Sequence, residues 1–299
     1  MRSLVHQPFP TIGSARGQIW RHEPSTRRPR HFHADPELNL ITAGSASFGV
    51  GEQVLRVGAN ALLWWAPGQD HELLDVSDDF ELYVIGLSPA FSERVLGPAG
   101  ANIYRGPQVL RLNAEQLATL SPYCQPHSFR QDSVVAEHRV GEFWQRAHAM
   151  RQSASSHSHP LTQRAIRYAL QRADMNRRQI ADAACSSSCE VSRHFRRDMG
   201  ITLTTYRTRL RLLRFMQLVG SRKLSLCAAS REAGFGCYSQ FHRAFHQTLG
   251  YSPRTYFGES LRQAIESAFE PILRVVPAPN LSHQLQGASS DGSGKCGRP

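Results

Sequence analysis

No stretch of the 299 residues approaches the ~18 consecutive apolar residues that a membrane-spanning helix needs, so no membrane partner is expected. Met1 to Pro10 holds no apolar run ahead of a small-residue cleavage site, which argues against export and for a cytoplasmic protein. The six cysteines (Cys124, Cys185, Cys189, Cys227, Cys237 and Cys296) follow no zinc-ribbon spacing: three residues separate Cys185 from Cys189, and no second pair follows. In a cytosolic chain they are expected as reduced thiols, buried or in turns. Lysine is absent from the first 159 residues. What is present is ordinary for a globular chain: 40% hydrophobic and 20% charged residues, at a length that suggests two domains.

The net charge of +11 is unevenly placed. Residues 1–159 carry 14 Arg against 15 acidic residues, a net −1, whereas residues 160–263 carry 18 basic against 6 acidic residues, a net +12. The remainder is neutral. An excess confined to one third of the chain points to a polyanion partner for that third.

Between Leu38 and Leu87, short apolar runs alternate with turn residues. Leu38–Thr42, Ser47–Val50, Val54–Val57, Ala61–Trp65 and Phe80–Ile85 are separated by Gly44, Gly51, Gly58 and Pro67-Gly68. This texture predicts an antiparallel barrel or double-sheet roll. Beyond Pro107 it becomes helical. Leu112–Leu120 reads as one helix with Asn113 as N-cap, and Ser133–Met150 as another. The second carries Val134, Val135, His138, Phe143, Trp144 and Ala147, a stripe that either packs on its own domain or forms a dimer seam. Gln152–Pro160 is a Ser-rich linker, and the stretch 271–299 lacks periodicity and reads as a disordered tail.

The basic third contains a repeat. Sliding residues 190–206 onto 240–256 superposes Arg193 on Arg243, Phe195 on Phe245, Gly200 on Gly250 and Tyr206 on Tyr256. Each copy reads as helix, turn, helix: Gln179–Ala184 then Cys189–Met199, and Leu226–Ala233 then Tyr238–Leu249. Val191, Phe195 and Met199 in one copy, and Phe241, Phe245 and Leu249 in the other, face inward at helical spacing. The outward faces offer Ser188, Cys189, Ser192, Arg193, Arg196 and Arg197, then Ser239, Gln240, His242, Arg243 and His246. Arg pairs with guanine edges, Gln with adenine, and Ser or His reaches phosphates, which suits major-groove contact with double-stranded DNA. Between the copies, Thr204–Val219 reads as a connecting helix facing inward through Tyr206, Leu210, Leu213 and Gln217. Its Arg207, Arg209, Arg211 and Arg214 either touch phosphates or are solvated.

These residues resemble the DNA-binding domain of the AraC/XylS family of bacterial transcription regulators. The likeness rests on Gly234-Phe235, Phe241, Phe245, Gly250, Ser252-Pro253 and Tyr256, and on Ile180-Ala181, Ser192-Arg193, Phe195 and Gly200. Cys185-Ser186 and Phe257 depart from its pattern. The resemblance implies two recognition helices held ~34 Å apart, in successive major grooves.

Ahead of it, His31-Phe32-His33, Glu37 and Gly44, followed by Pro67-Gly68-Gln69-Asp70-His71, are similar to the two motifs of the cupin barrel. Two departures are Ser25, where the first motif usually opens with Gly, and the missing residue between Pro67 and Gly68. The resemblance implies that His31, His33, Glu37 and His71 either hold a divalent metal (Mn, Fe, Ni or Zn) or, with Trp64, line a metal-free effector pocket.

The expected architecture is therefore α+β with two domains: an antiparallel, cupin-like β-barrel at 1–110, a helical segment at 111–151 suited to dimerisation, a linker at 152–160 and an all-α domain at 161–262 in which a helix joins two helix-turn-helix modules. The expected function is a sequence-specific transcriptional regulator, not an enzyme, acting as a homodimer under control of a small-molecule effector. It requires no cofactor, and RNA polymerase is a partner if it activates. The rival reading is a metal-dependent cupin enzyme carrying a DNA-targeting domain.

Overall fold

The computed structural model describes residues 4–7, 17–22, 28–96, 108–124, 133–154, 158–172, 174–222 and 224–258; Ser25, Cys296 and the tail 271–299 lie outside the described residues. The first half runs β1 (Val5–His6), β2 (Gly17–Arg21), β3 (His31–Phe32), β4 (Glu37–Ala43), β5 (Ser45–Val50), β6 (Gln53–Gly58), β7 (Ala61–Trp65), β8 (Glu72–Val76), β9 (Glu81–Leu87), α1 (Pro89–Leu96), β10 (Val109–Arg111), α2 (Ala114–Leu120) and α3 (Ser133–Ser153).

The strands form a double-sheet arrangement rather than a closed barrel. One antiparallel sheet has the order β10-β7-β4-β9-β2, a second has the order β6-β5-β8, and β1 pairs with β3 in parallel. The ladder breaks where β4 passes into β5: its register with β9 shifts between Ile41 and Ala43, and Gly44 follows at φ +71°. A Cβ at Gly44 would lie 2.5 Å from Ser77 Oγ, so only glycine fits there. The chain thereby changes sheets.

Strand parity then builds two cores. Ile41, Leu63, Trp65, Leu82 and Val84 pack between the sheets against Phe48, Val50 and Val57. Leu38, Leu40, Leu62, Trp64, Ile85 and Leu87 face the other way, onto Phe91, Leu120, Val140, Phe143, Trp144 and Ala147. The central strands are covered on both faces, which is why they read as nearly continuous apolar runs. The aromatic stripe of α3 belongs to this second core. Phe143 and Trp144 are fully buried, whereas Val134 and Val135 are exposed.

The second half is helical: α4 (Pro160–Gln171), α5 (Arg177–Ala183), α6 (Ser188–Met199), α7 (Leu203–Arg222), α8 (Leu226–Glu232), α9 (Tyr238–Leu249) and α10 (Pro253–Tyr256). Side chains cap the helix starts: Asn113 and Asn176 each complete a capping box, and Ser187, Ser225 and Ser252 accept from backbone N–H groups. Gly200 and Gly250 close α6 and α9 in the left-handed conformation.

The offset between the copies is 50 residues for the second helices but 49 for the first, because the α8–α9 turn is one residue longer. Its left-handed position is Gly234 at φ 92°; the corresponding position in the α5–α6 turn is Cys185 at φ 54°. Backbone bonds Ser186 N–H to Ala181 and Phe235 N–H to Ser230 close the two turns alike.

Two expectations for α7 need correcting. Gln217 is exposed rather than inward, and its place is taken by Phe215 and Leu218. Arg207 and Arg209 are buried, so Arg209 is neither solvated nor turned toward a phosphate. Of the cysteines, Cys124 is buried, while Cys185, Cys189, Cys227 and Cys237 are exposed.

Candidate functional site

Two groups of side chains carry chemistry. In the first half, β3 delivers His31 and His33 directly follows it, while β4 presents Glu37 and His71 directly precedes β8. His31 and His71 form an antiparallel bridge, exchanging backbone bonds of 3.2 and 3.0 Å. One ring nitrogen of each of His31, His33 and His71 lies within 4.8 Å of the others, and all three residues are buried.

The tautomers follow from the backbone carbonyls beside the rings. Nδ1 of His31 faces the Pro29 carbonyl at 2.8 Å, Nδ1 of His33 faces that of Asp35 at 2.8 Å and Nδ1 of His71 faces that of Gln69 at 3.3 Å. A carbonyl only accepts, so each Nδ1 carries a hydrogen; Nε2 of His31 and of His71 is then the basic nitrogen, while Nε2 of His33 faces the Glu37 carboxylate and donates to it when the ring is charged. Glu37 joins them, its Oε2 being 3.0 Å from His33 Nε2 and its Oε1 3.8 Å from His71 Nε2. Asn39, two residues along the same strand face, donates to Glu37 Oε1 at 2.7 Å and accepts from Trp65 Nε1 at 2.7 Å.

Burial lowers the pKa of His71 to about 4 and that of His31 well below the ordinary value, with neighbouring imidazoles adding to the effect on both. Burial also opposes the charged form of His33, but the bond and charge of Glu37 outweigh it and raise that pKa. The same pair holds Glu37 well below the carboxylate range against the opposing effect of burial. Three imidazole nitrogens and one carboxylate, oriented by backbone carbonyls and an amide, are a donor set for a divalent ion once His33 has given up its Nε2 proton.

Of the expected pocket wall, Trp64 is not brought to this cluster. It lies on the opposite face of β7, beside Trp144 and under the guanidinium of Arg151 at 4.5 Å. Trp65 takes the role instead, stacked on His71 at 4.7 Å and 8°. The sequence made it certain that the two indoles diverge but not which one turned inward. Arg28 is a further residue the sequence did not single out. Its Nε and Nη2 atoms are buried without a hydrogen-bond acceptor, and desolvation lowers its pKa against the pull of Glu37.

The second group is the outer faces of α6 and α9. Cys189, Arg193 and Arg196 are exposed on α6, with Ser188 and Ser192 partly covered. Ser239, Gln240, His242, Arg243 and His246 are all exposed on α9. Two of these side chains bond within their own module: Ser192 donates to the Ser188 carbonyl at 2.6 Å, and Gln240 accepts from Gly236 N–H at 3.1 Å.

The two groups are physically linked. At the tip of the β5–β6 hairpin, Glu52 N–H donates to the Gly200 carbonyl at 3.1 Å, and the Glu52 carboxylate meets Arg196 Nη2 at 2.8 Å. Gln53 Nε2 donates to the Arg197 carbonyl at 2.9 Å. A Cβ at Gly51 would lie 2.6 Å from the Gly200 oxygen. Beside the histidines, Asp70 pairs with Arg209 of α7 and, at 2.5 Å, with Arg30 Nε, while Arg30 Nη2 donates to the Gly51 carbonyl. The clasp residues Arg30 and Asp70 immediately precede His31 and His71.

Comparison with known proteins places both halves. A profile of the AraC-like ligand-binding domain matches residues 16–136, and a helix-turn-helix domain profile matches residues 180–259. No curated protein matches the chain. Among solved structures, ToxT from Vibrio cholerae is 14% identical over 80% of this chain and 96% of its own, with a TM-score of 0.42. The AraC-like transcriptional activator CuxR is 16% identical over 60% of this chain and 67% of its own, at 0.32. Oxalate decarboxylase from Bacillus subtilis is 22% identical over 25% and 22%, at 0.22. Among the described residues, no helix is long and apolar enough to cross a membrane. With a sheet-rich ligand-binding half, a basic helical half and a profile match to each, the chain belongs to the AraC family of transcription regulators.

Proposed function

We propose that this regulator reads DNA through two helix-turn-helix modules, with α6 and α9 entering successive major grooves. The observation that carries the reading is the repeated outward face: Ser192 and Arg193 on α6 recur as His242 and Arg243 on α9, each over a fully buried Phe. Ser192, Arg193, Ser239, Gln240 and Arg243 supply base contacts, while Ser188 and His246 supply backbone contacts. Cys189, Arg196 and His242 complete the two faces.

The ligand-binding half senses a small molecule between its sheets, at His31, His33, Glu37 and His71. A divalent ion there would be held by those four residues and would give the effector a charged anchor. The Nδ1–H tautomers set by backbone carbonyls and the Asn39-oriented carboxylate support that reading. The family places sensing rather than turnover at this position, which weighs against the enzymatic alternative. We take the clasp at Asp70–Arg209 and Glu52–Arg196 as the route by which the sensor acts on α6 and α7. An effector can bias that contact only by its differential affinity for the closed and open arrangements. Val134 and Val135, exposed at the start of α3, are the surface for a homodimer, and RNA polymerase is a partner where the protein activates. The cytoplasm is its proposed location.

The test is selection of bound fragments from a mixed-sequence DNA library at two salt concentrations. Two short blocks about 10 base pairs apart are expected. Binding that is uniform across sequences and vanishes with salt would overturn readout by the two helices.

A further inference from the structure

A cavity that shares Trp65 with the histidine cluster but contains none of its histidines lies where the two halves of the chain meet. It measures about 50 Å³ and is bounded on one side by Trp64, Gln69, Gln108, Trp144 and Arg151, and on the other by Ser158, Thr162, Ile166, Asp198 and Met199. At ~10–15 Å³ per water-sized probe, such a space holds a group of about three or four heavy atoms.

Its polar lining is one-sided. The acceptors are already engaged: Asp198 accepts from His159 N–H and the Thr162 hydroxyl, each at 2.7 Å, and from Arg197 Nε at 2.9 Å. The Ser158 hydroxyl accepts from Gln163 at 3.2 Å, and Gln69 Oε1 accepts from Ala66 N–H at 3.1 Å. Four donors are not engaged. Trp64 Nε1, Trp144 Nε1, Gln69 Nε2 and Gln108 Nε2 are all buried without a hydrogen-bond acceptor. Trp64, Trp144 and Gln69 are only 4%, 0% and 3% exposed, so bulk water does not satisfy them. The guanidinium of Arg151, also buried, adds a positive charge on the Trp64 ring. An unsatisfied buried donor is costly, and four on the wall of one cavity call for an occupant that only accepts, to which a charged oxygen bonds more strongly than a neutral one.

We infer that this cavity is a binding site for a small carboxylate, whose oxygens take the indole and amide N–H groups while its short apolar body rests on Ile166 and Met199. The site is built jointly by the ligand-binding half and by α4 and α6, so its occupant bears directly on the arrangement of the two halves. It extends the reading of this chain as a small-molecule-responsive regulator, and its occupancy is measurable without DNA, so the two ideas fail separately.

The experiment titrates the full chain with acetate, propionate and butyrate, following tryptophan fluorescence, with propionamide and equal-ionic-strength sodium chloride as controls. A saturable change is expected with at least one carboxylate, at least tenfold weaker with the amide and absent with the salt. Gln69→Glu keeps the acceptor for Ala66 N–H but replaces the donor with a charged oxygen, and is expected to weaken binding at least tenfold. Trp144→Phe keeps the ring but removes one donor, and is expected to weaken it severalfold. His33→Ala leaves it unchanged. Circular dichroism verifies each fold, and should Trp144→Phe unfold, the loop variant Gln69→Glu carries the comparison. Equal response to amide and carboxylate, no saturable response to any of the three acids, unaltered affinity in Gln69→Glu, or loss of binding in His33→Ala would each overturn the site.

Discussion

Asp70 joins the two halves of the chain through Arg209. One carboxylate oxygen meets the Arg209 guanidinium of α7, with side chains 2% and 9% exposed, and the other lies 2.5 Å from Arg30 Nε. Burial favours the neutral acid, but the two guanidinium groups prevail and hold Asp70 below the carboxylate range.

Removing one member of a buried ion pair strands the other. Asp70→Asn is therefore expected to destabilise the protein by about 3–5 kcal/mol, because Arg209 keeps its charge without its partner. The double change Asp70→Leu with Arg209→Met should recover most of that loss. Denaturant unfolding of the wild type and the two variants checks this, and an Asp70→Asn cost below about 1 kcal/mol would mean that the clasp is open in solution.

Arg196 is an expected DNA contact that the closed structure engages with Glu52. Both side chains are well exposed, so the pair itself contributes little to stability. Glu52→Lys should nonetheless free the outer face of α6 and strengthen effector-free DNA binding up to about fivefold. A fluorescence anisotropy titration on the selected DNA measures this, and unchanged or weaker binding refutes competition between the hairpin tip and DNA.

Arg193→Ala and Arg243→Ala are each expected to cost about 1–3 kcal/mol of DNA affinity and to relax specificity at one position. The check is binding to a set of single-base-substituted sites. A loss that is equal on every sequence reassigns that arginine to a phosphate.

If His31, His33, Glu37 and His71 hold an ion, purified protein should contain near-stoichiometric divalent metal, and His33→Ala should not. Saturation at about 100 times the dissociation constant raises stability by about 2.7 kcal/mol. Elemental analysis with melting curves before and after chelation decides the matter. A protein free of metal, with a melting temperature indifferent to added Mn, Fe, Ni and Zn, leaves the cluster as a plain effector pocket.

Cys185 adopts a left-handed backbone that costs an L-residue roughly 1–2 kcal/mol, whereas its counterpart Gly234 adopts one freely. Cys185→Gly should raise the unfolding midpoint of the helical half, and Gly234→Ala should lower it by a comparable amount. Equal behaviour of the two variants would show that the turns are not equivalent.

Much of this protein is written locally. The Tyr238–Leu249 helix is legible because its apolar period, the turn before it and the glycine after it are all short-range signals, as are the caps at Asn113 and Ser225. The chain segments forming β4, β5, β6, β7 and β9 are legible because glycine and proline separate their apolar runs, and the DNA-facing side chains because helical spacing leaves them outside a buried Phe. The helix at Pro160–Gln171 carried a readable period in Leu161, Ala165, Ile166 and Ala169, but the polar stretch before it concealed its start.

Local pattern could not settle what depends on residues far apart in the chain. Alternation made Trp64 and Trp65 diverge, yet only the stacking of sheets and helices decided that Trp65 meets His71 and Trp64 meets Trp144. The same packing separated the two sheets at Gly44, buried Arg209 against an aspartate 139 positions earlier, and left four donors around one cavity. Helical and strand periods constrain which face a side chain occupies, but what stands opposite that face is a property of the folded chain.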